Sequence, residues 1–424
     1  MKRFAIFLVF MIGGVGLFFF FTTSNKVPIS LTAEMGSTGV VTKNPEPKKP
    51  VSLDAPFQKP LKNPPAIIKA VYATGWSAGS EKSMARLIKL IKDTELNAIV
   101  IDIKDYSGML SYDADISLVD TYKGEEIKIT KPNALIKRLH DDGIYVIARQ
   151  TIFQDPVLAK ARPDLALMSS STKKQWGDNK GVMWMDTSAR EVWDYNIEIA
   201  KDAIARGFDE INFDYIRFAS DGKIDDIIYP YWDGVRLKRY VLKDFWKYLR
   251  KALPDATLSA DLFGLVTLDY GDLGIGQNMD DAFHYFDAIA PMVYPSHYYA
   301  NFNGYKNPAN YPYQVVYDSM LEAEERLAAY KIKAALSTST EQYLVKEPTL
   351  RPWLQDFDLG AMYTKEMVRA QIDATYAAAG LCASIATTTN IGVSLCSLKE
   401  GQTGGSWMLW DPRNIYTREA LLSE

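Results

Sequence analysis

From Ile67 to Trp410 the chain switches, unit after unit, between apolar runs of strand length and amphipathic runs of helix length. Short apolar runs bounded by turns read as buried strands, and apolar residues three and four apart read as helices facing a core. Strands are expected at Ile67–Ala73, Ala98–Ile103, Ile144–Ala148, Gly207–Phe218, Thr257–Leu262, Ala288–Tyr294, Arg351–Phe357 and Ser406–Trp410. Between them fall helices at Ser80–Ile91, Pro132–His140, Ala189–Arg206, Val235–Ala252, Met279–Phe286, Tyr313–Tyr330 and Thr364–Ala379. The apolar run Ile332–Leu336 competes for the place of the seventh strand. Eight such alternations fit a closed (β/α)8 TIM barrel with insertions. A doubly wound sheet needs fewer units and usually a Gly-rich first turn, which this sequence does not have.

The fourth strand, GFDEINFDYIRF, carries the sharpest chemistry. Glu210, Asn212 and Asp214 alternate with Ile211, Phe213 and Tyr215, so the polar set shares one face. A carboxylate on a buried strand is costly unless paired or used, and barrel enzymes use the carboxyl ends of their strands. Asp214 is therefore the first catalytic candidate. Other strand ends supply Asp102 and Lys104, Arg149, Ser259 and Asp261, Tyr294 and His297, Gln355 and Asp356, and Trp410 with Asp411. Substrate contacts are expected from Asp102, Lys104, Arg149, Asn212, Tyr294, His297, Gln355, Asp356 and Trp410. A pairing of Arg149 with Asp102 or Asp214 that serves only the structure is the alternative.

Two carboxyl groups across a cleft are the minimum for glycoside hydrolysis, one ionised and the other protonated to serve the leaving oxygen. Asp214, near Arg149, is expected to stay ionised. Asp261, followed by the apolar LFGLV run, is the candidate acid, with Asp356 or Asp102 as alternatives. Adjacent strands lie ~4.8 Å apart, which leans towards the ~5–5.5 Å carboxyl spacing of retaining enzymes rather than the ~6.5–9.5 Å of inverting ones. Trp76, Tyr215, Tyr294, Tyr298, Tyr299, Trp353 and Trp410 suit sugar faces, with core packing as the other reading of Tyr215 and Trp353.

Other chemistries fit poorly. The chain has 3 histidines, too few near the mouth for a multi-histidine zinc site or a Ser-His-Asp triad. It has no P-loop, and GDLGIG at Gly271–Gly276 lacks the dinucleotide fingerprint. No cofactor and no metal are expected, although Asp102, Asp105, Asp214 and Asp261 leave a carboxylate-bound cation open. A net charge of -4, without a basic and aromatic stripe, argues against nucleic acid as a partner.

Phe4–Phe21 is apolar throughout, and Lys2 and Arg3 precede it. Its length approaches the ~20 residues of a membrane span, and the charge places the amino terminus in the cytoplasm. The run ends FFFFTTSNK without a small-residue cleavage pattern, so residues 1–21 are expected to be an uncleaved signal-anchor rather than a signal peptide. Either way the remainder is exported, with the catalytic domain on the extracytoplasmic side of the cell membrane. Residues 22–65, rich in Pro and Lys, are expected to be a disordered spacer ahead of a barrel over 66–424. Cys382 and Cys396 are expected to form a disulfide, as suits an exported protein.

With GFDEINFDYIRF, VIDIKD, SADLFG, APMVYPSHY, RPWLQDF and WMLWD in order, the chain resembles a family of exported TIM-barrel glycoside hydrolases related in outline to α-amylase-like enzymes. The resemblance covers about Ala66–Tyr416. Amylase-type barrels carry an inward Arg-x-Asp on strand four, whose Asp is the nucleophile, and a Glu acid/base on strand five. The resemblance implies Asp214 as nucleophile and Asp261 as acid. Asp stands in place of Glu, and Asn212 replaces the Arg, for which Arg149 could substitute. Leu381–Gly404 looks like an insertion peculiar to this chain. The expectation is a membrane-anchored glycosidase acting on an envelope or extracellular polysaccharide. A catalytically silent glycan-binding barrel is the alternative, and a cation-dependent deacetylase or lyase is a third reading.

Overall fold

The computed structural model describes residues 54–338, 344–345, 347–388, 393–401 and 404–423. The expected anchor at Phe4–Phe21 and the spacer up to residue 53 lie outside the described residues. Among the described residues no helix is long and apolar enough to cross a membrane.

Eight parallel strands form the barrel: β1 (Lys69–Ala73), β2 (Ala98–Lys104), β3 (Tyr145–Thr151), β4 (Glu210–Asp214), β5 (Leu258–Phe263), β6 (Ala288–Met292), β7 (Trp353–Gln355) and β8 (Trp407–Trp410). Consecutive strands pair from β1 to β6, and β8 pairs with β1. The circle closes through β7, where Trp353 stands opposite Met292 of β6 and Met408 of β8. A short piece, Thr349–Leu350, pairs with the start of β6 just before Pro352 interrupts the strand. Proline has no N–H to give a ladder, and its carbonyl accepts from the Met408 N–H at 2.9 Å.

The period of two sorts residues into two cores. Ala70, Tyr72, Ala98, Val100, Tyr145, Ile147, Trp353 and Met408 fill the barrel interior. Their sequence neighbours Val71, Ile99, Ile101, Val146 and Ala148 belong to the larger core beneath the helices. Those helices are α1 (Glu81–Lys92), α2 (Pro132–Asp141), α3 (Arg190–Arg206), α4 (Lys238–Ala252), α5 (Met279–Ala282), α6 (Pro312–Leu336) and α7 (Lys365–Ala378).

Two boundaries differ from expectation. Ile332–Leu336 is the last part of α6, not a strand. Tyr330 and Ala334, four residues apart, are buried while Ile332 and Leu336 face solvent, which is a helical period. Residues 54–65, expected in the disordered spacer, pack against the barrel domain. Asp54 accepts from the Asn133 and Ala134 N–H groups at 2.9 Å, supplying the cap that α2 has no local side chain for. The Gln58 N–H reaches the Arg206 carbonyl at 3.0 Å.

That last contact explains Gly207, the C-cap of α3. Its φ is +103°, and a Cβ there would sit 2.7 Å from the Gln58 carbonyl oxygen. Gly207→Ala is expected to destabilise the domain by about 1–3 kcal/mol in urea unfolding. The stretch Cys382–Thr388 and Val393–Leu398 forms an antiparallel hairpin outside the barrel sheet. Cys382 and Cys396 are bonded within it, with a Cα–Cα distance of 5.4 Å.

Candidate active site

The inward face of β4 organises the interior from bottom to top. At its amino end Glu210 pairs with Arg351 and accepts from Ser259 and Tyr145, a buried polar layer at the barrel floor. One step up, Asn212 Nδ2 donates to Asp261 Oδ1 at 2.8 Å and to Ser259 Oγ at 3.0 Å. At the carboxyl end Asp214 receives Arg149 Nη2 on one oxygen and the Tyr215 N–H on the other. Tyr215 holds a positive φ of 52°, a conformation an L side chain adopts at a cost and one that clusters at functional sites.

Register explains how the charges meet. Arg149 lies opposite Asp102 on β2 and Asn212 on β4. Its Nη1 reaches Asp102 Oδ1 at 2.5 Å, Nη2 reaches Asp214, and Nε lies 3.5 Å from Asp261 Oδ2. Three carboxyl groups thus share one guanidinium, and all four side chains are buried. Ionising all three would leave two uncompensated negative charges in a dry site. Burial, then the charge of Asp214, pushes Asp261 up to about 7. Burial also raises Asp102, against the pull of Arg149 and the Tyr72 hydroxyl.

Aromatic rings complete the wall. Trp353 Nε1 donates to Asp261 Oδ1 at 2.7 Å. Tyr72 donates to Asp102 and stacks on Trp410 with ring centres 3.8 Å apart, while the Arg149 guanidinium lies 5.0 Å from the Trp410 ring. The arrangement pairs one carboxylate with the guanidinium and sets beside it a second carboxyl group whose pKa burial raises, the asymmetry that a nucleophile and an acid require.

A profile for the family described as "putative glycosyl hydrolase domain" matches residues 70–381, well over half the chain. The chain belongs to that family. Its membership makes it a glycosidase in class. Similar solved structures include a hypothetical protein from Ruminiclostridium thermocellum ATCC 27405, 38% identical, covering 45% of this chain and 96% of that one at a TM-score of 0.42. The glycoside hydrolase domain of PgaB (BpsB) from Bordetella bronchiseptica is 14% identical, with coverage of 84% and 99% and a TM-score of 0.54, a shared fold. Eubacterium rectale Amy13B is 9% identical, with coverage of 84% and 67% and a TM-score of 0.43. No curated protein matches in sequence.

In this glycosyl hydrolase the expected site residues divide. Asp102, Arg149, Asn212, Asp214, Asp261 and Trp410 converge, and Tyr294 is buried beside them, its hydroxyl raised by burial and then by Asp261. Lys104 does not. The ladder slips between Asp102 and Lys104, setting Lys104 opposite Gln150 and turning it outward. There its ammonium, fully buried, pairs with Asp155 at 2.7 Å and donates to the Thr151 carbonyl at 2.8 Å. Lys104→Met is expected to cost about 3–5 kcal/mol, the penalty of leaving Asp155 buried alone. Turnover per folded molecule should be spared, as urea melts paired with activity at low temperature will read.

Gln355 is also occupied structurally. Its Oε1 accepts from the Ser296 N–H at 3.2 Å and its Nε2 donates to the Phe357 carbonyl at 2.9 Å. Asp356 takes the Thr417 N–H at 2.8 Å and hydroxyl at 2.6 Å, securing the C-terminal segment rather than facing Asp214. His297 is half-buried near Tyr294 and Phe357, and desolvation lowers it to about 4, so it is neutral at ordinary pH. Sequence reasoning missed Tyr72 and the Glu210–Arg351 floor. Tyr72 was discoverable in principle, as a polar-tipped ring on the inward period of β1. Arg351 had no local signal, since its partner lies 141 residues away.

Proposed function

We propose that the protein hydrolyses a polysaccharide by a retaining double displacement, with Asp214 as nucleophile and Asp261 as acid and then base. The observation that carries this reading is the single guanidinium of Arg149 lying between an ion-paired Asp214 and a fully buried Asp261, whose carboxyl is pushed up to about 7 by burial and then by Asp214. Asn212 does not flank the nucleophile, as an arginine there would. It serves Asp261, and Arg149 from the neighbouring strand supplies the cation. The ladder pairs Phe213 with Ala260, so one further step brings Asp214 and Asp261 level on adjacent strands. That supports the shorter, retaining separation.

In the first step the Asp261 carboxyl gives its proton to the glycosidic oxygen as the C–O bond breaks. An Asp214 oxygen takes the anomeric carbon, and the aglycone leaves as an alcohol. In the second, the Asp261 carboxylate takes a proton from water, whose oxygen displaces Asp214 and regenerates both groups. Trp410, half-buried beside the charged cluster and backed by the buried Tyr72 ring, offers an aromatic surface to the sugar.

The same reading places the enzyme at the cell membrane, tethered by Phe4–Phe21 with its barrel outside. The bonded pair Cys382–Cys396 supports an oxidising compartment. The test is a panel of envelope and extracellular polysaccharides incubated with wild type, Asp214→Asn and Asp261→Asn. New reducing ends from wild type alone are expected. Equal glycan binding by all three without cleavage by any would show a silent binding barrel instead.

A further inference from the structure

Trp76 is the most exposed of the rings expected at the mouth, at 62%, whereas Trp353 is 1% exposed and Tyr298 6%. A single apolar side chain in water needs no explanation. A rigid mount built for one does. The mount is the helical turn Gly75–Gly79, which follows the carboxyl end of β1. Thr74 caps it, accepting from the Ser77 N–H at 3.1 Å and giving its own N–H to Asn414 Oδ1, beyond β8, at 3.0 Å. On its other side the turn is pressed onto the segment that follows β2. A Cβ on Gly75 would collide with Ser111 Oγ, and one on Gly79 with the Lys128 carbonyl oxygen. Ser111 Oγ in turn donates to the Asp102 carbonyl at 3.0 Å. The turn is thus fixed to the strand that carries one carboxyl group of the Arg149 cluster.

The ring itself is backed by a cation. Lys128 Nζ lies 5.7 Å from the centre of the Trp76 ring, within reach of its π face. The Lys128 side chain is only 2% exposed, so the ammonium stands on the protein side of the ring. It is already spent on Asp105 at 2.8 Å and Glu126 at 3.2 Å. What the mouth offers a ligand here is therefore the outer ring face and not a charge. Trp76 stands four residues beyond Tyr72, whose ring stacks on Trp410 of the adjoining strand β8. Asp214 and Asp261 belong to β4 and β5, three and four strands further round the circle. A sugar on Trp76 is then not the sugar whose bond is cleaved.

We propose that Trp76 is a remote subsite, stacking its outer face on a pyranose ring of the same glycan chain, away from the bond under attack. The C–H face of a pyranose matches an indole face, and a ring already held in place costs little ordering when it binds. The subsite makes the enzyme select long chains over short ones. This rests on the glycosidase reading and adds chain-length selection to it.

The test is calorimetry with oligosaccharide ladders, disaccharide to octasaccharide, from cellulose, chitin, xylan and starch. The full chain carries Asp261→Asn to arrest turnover. In at least one ladder affinity is expected to rise with length. An added Trp76→Ala weakens the octasaccharide about tenfold and leaves the disaccharide unchanged, while Trp76→Tyr keeps part of the gain. A second measurement needs no substitution at Trp76. Its indole, oxidised by N-bromosuccinimide and followed by peptide mass, is protected by the octasaccharide and not by the disaccharide. No gain with length in any ladder, a gain unchanged in Trp76→Ala, or oxidation of Trp76 indifferent to the octasaccharide overturns the proposal. Asp214-dependent cleavage with a length dependence that Trp76→Ala does not alter would leave the glycosidase reading standing alone. Trp76-dependent length selection with no cleavage by wild type would do the reverse.

Discussion

Asp214→Asn is expected to lower the release of reducing ends by ~10⁴-fold or more, as removal of a covalent nucleophile does elsewhere. The fold should survive, because the amide is isosteric and Arg149 keeps its bond to Asp102 at 2.5 Å. Losing the anion at this site also frees Asp261 from one of the two causes of its raised pKa. The variant's residual activity should therefore show a pH profile displaced downward. A smaller change, Asp214→Gly, opens space at the end of β4, and added azide or formate should then restore part of the rate by attacking the anomeric carbon directly. Restoration by such an anion requires a vacancy on the nucleophile's side of the sugar, so it reports the role and not merely the importance of the residue. Retention of more than a tenth of wild-type rate in Asp214→Asn would remove Asp214 from the chemistry.

Much of this site was legible because the barrel converts sequence period into position. Once β3, β4 and β5 are strands, Arg149, Asn212, Asp214 and Asp261 must face inward at neighbouring heights. The failures occur where the period breaks. Lys104 follows Asp102 at the right interval, but the slipped ladder at Ile103 sends it to the helix layer. A bulge of this kind has no sequence mark in VIDIKD. Gln355 is the last residue of the three-residue β7 and Asp356 lies just past it, where the chain turns and alternation no longer dictates direction. Long-range partners were equally hidden. Asp54 reads as part of a Pro-rich spacer, and only the fold brings it to the uncapped start of α2.

The pH dependence of catalysis should identify the acid. Burial and the neighbouring Asp214 raise the Asp261 carboxyl from 3.8 to about 7. The acid must hold its proton in the free enzyme, so kcat/KM should fall as pH rises through about 7, approaching tenfold per unit above it. Asp261→Asn should lower the rate and flatten that limb together. Substrates whose aglycone departs without protonation should be cleaved by the variant with much less penalty. The competing assignment is specific enough to exclude by the same experiment. Burial raises Asp356 to about 6, but its oxygens are occupied by Thr417, so Asp356→Asn should leave the limb in place. If it moves the limb, Asp261 is not the acid. Stability carries a second signature of the same shift, with a defined sign. A carboxyl raised on folding binds its proton more tightly in the native state. Its contribution is thus fully present below the unfolded value near 3.8, and is lost as pH rises towards about 7. The melting temperature of wild type should therefore fall relative to that of Asp261→Asn between these two pH values, and the difference should be constant above them. A difference that grows in the opposite direction would mean that Asp261 is ionised in the folded protein at acid pH. Its proton would then be unavailable for the leaving oxygen.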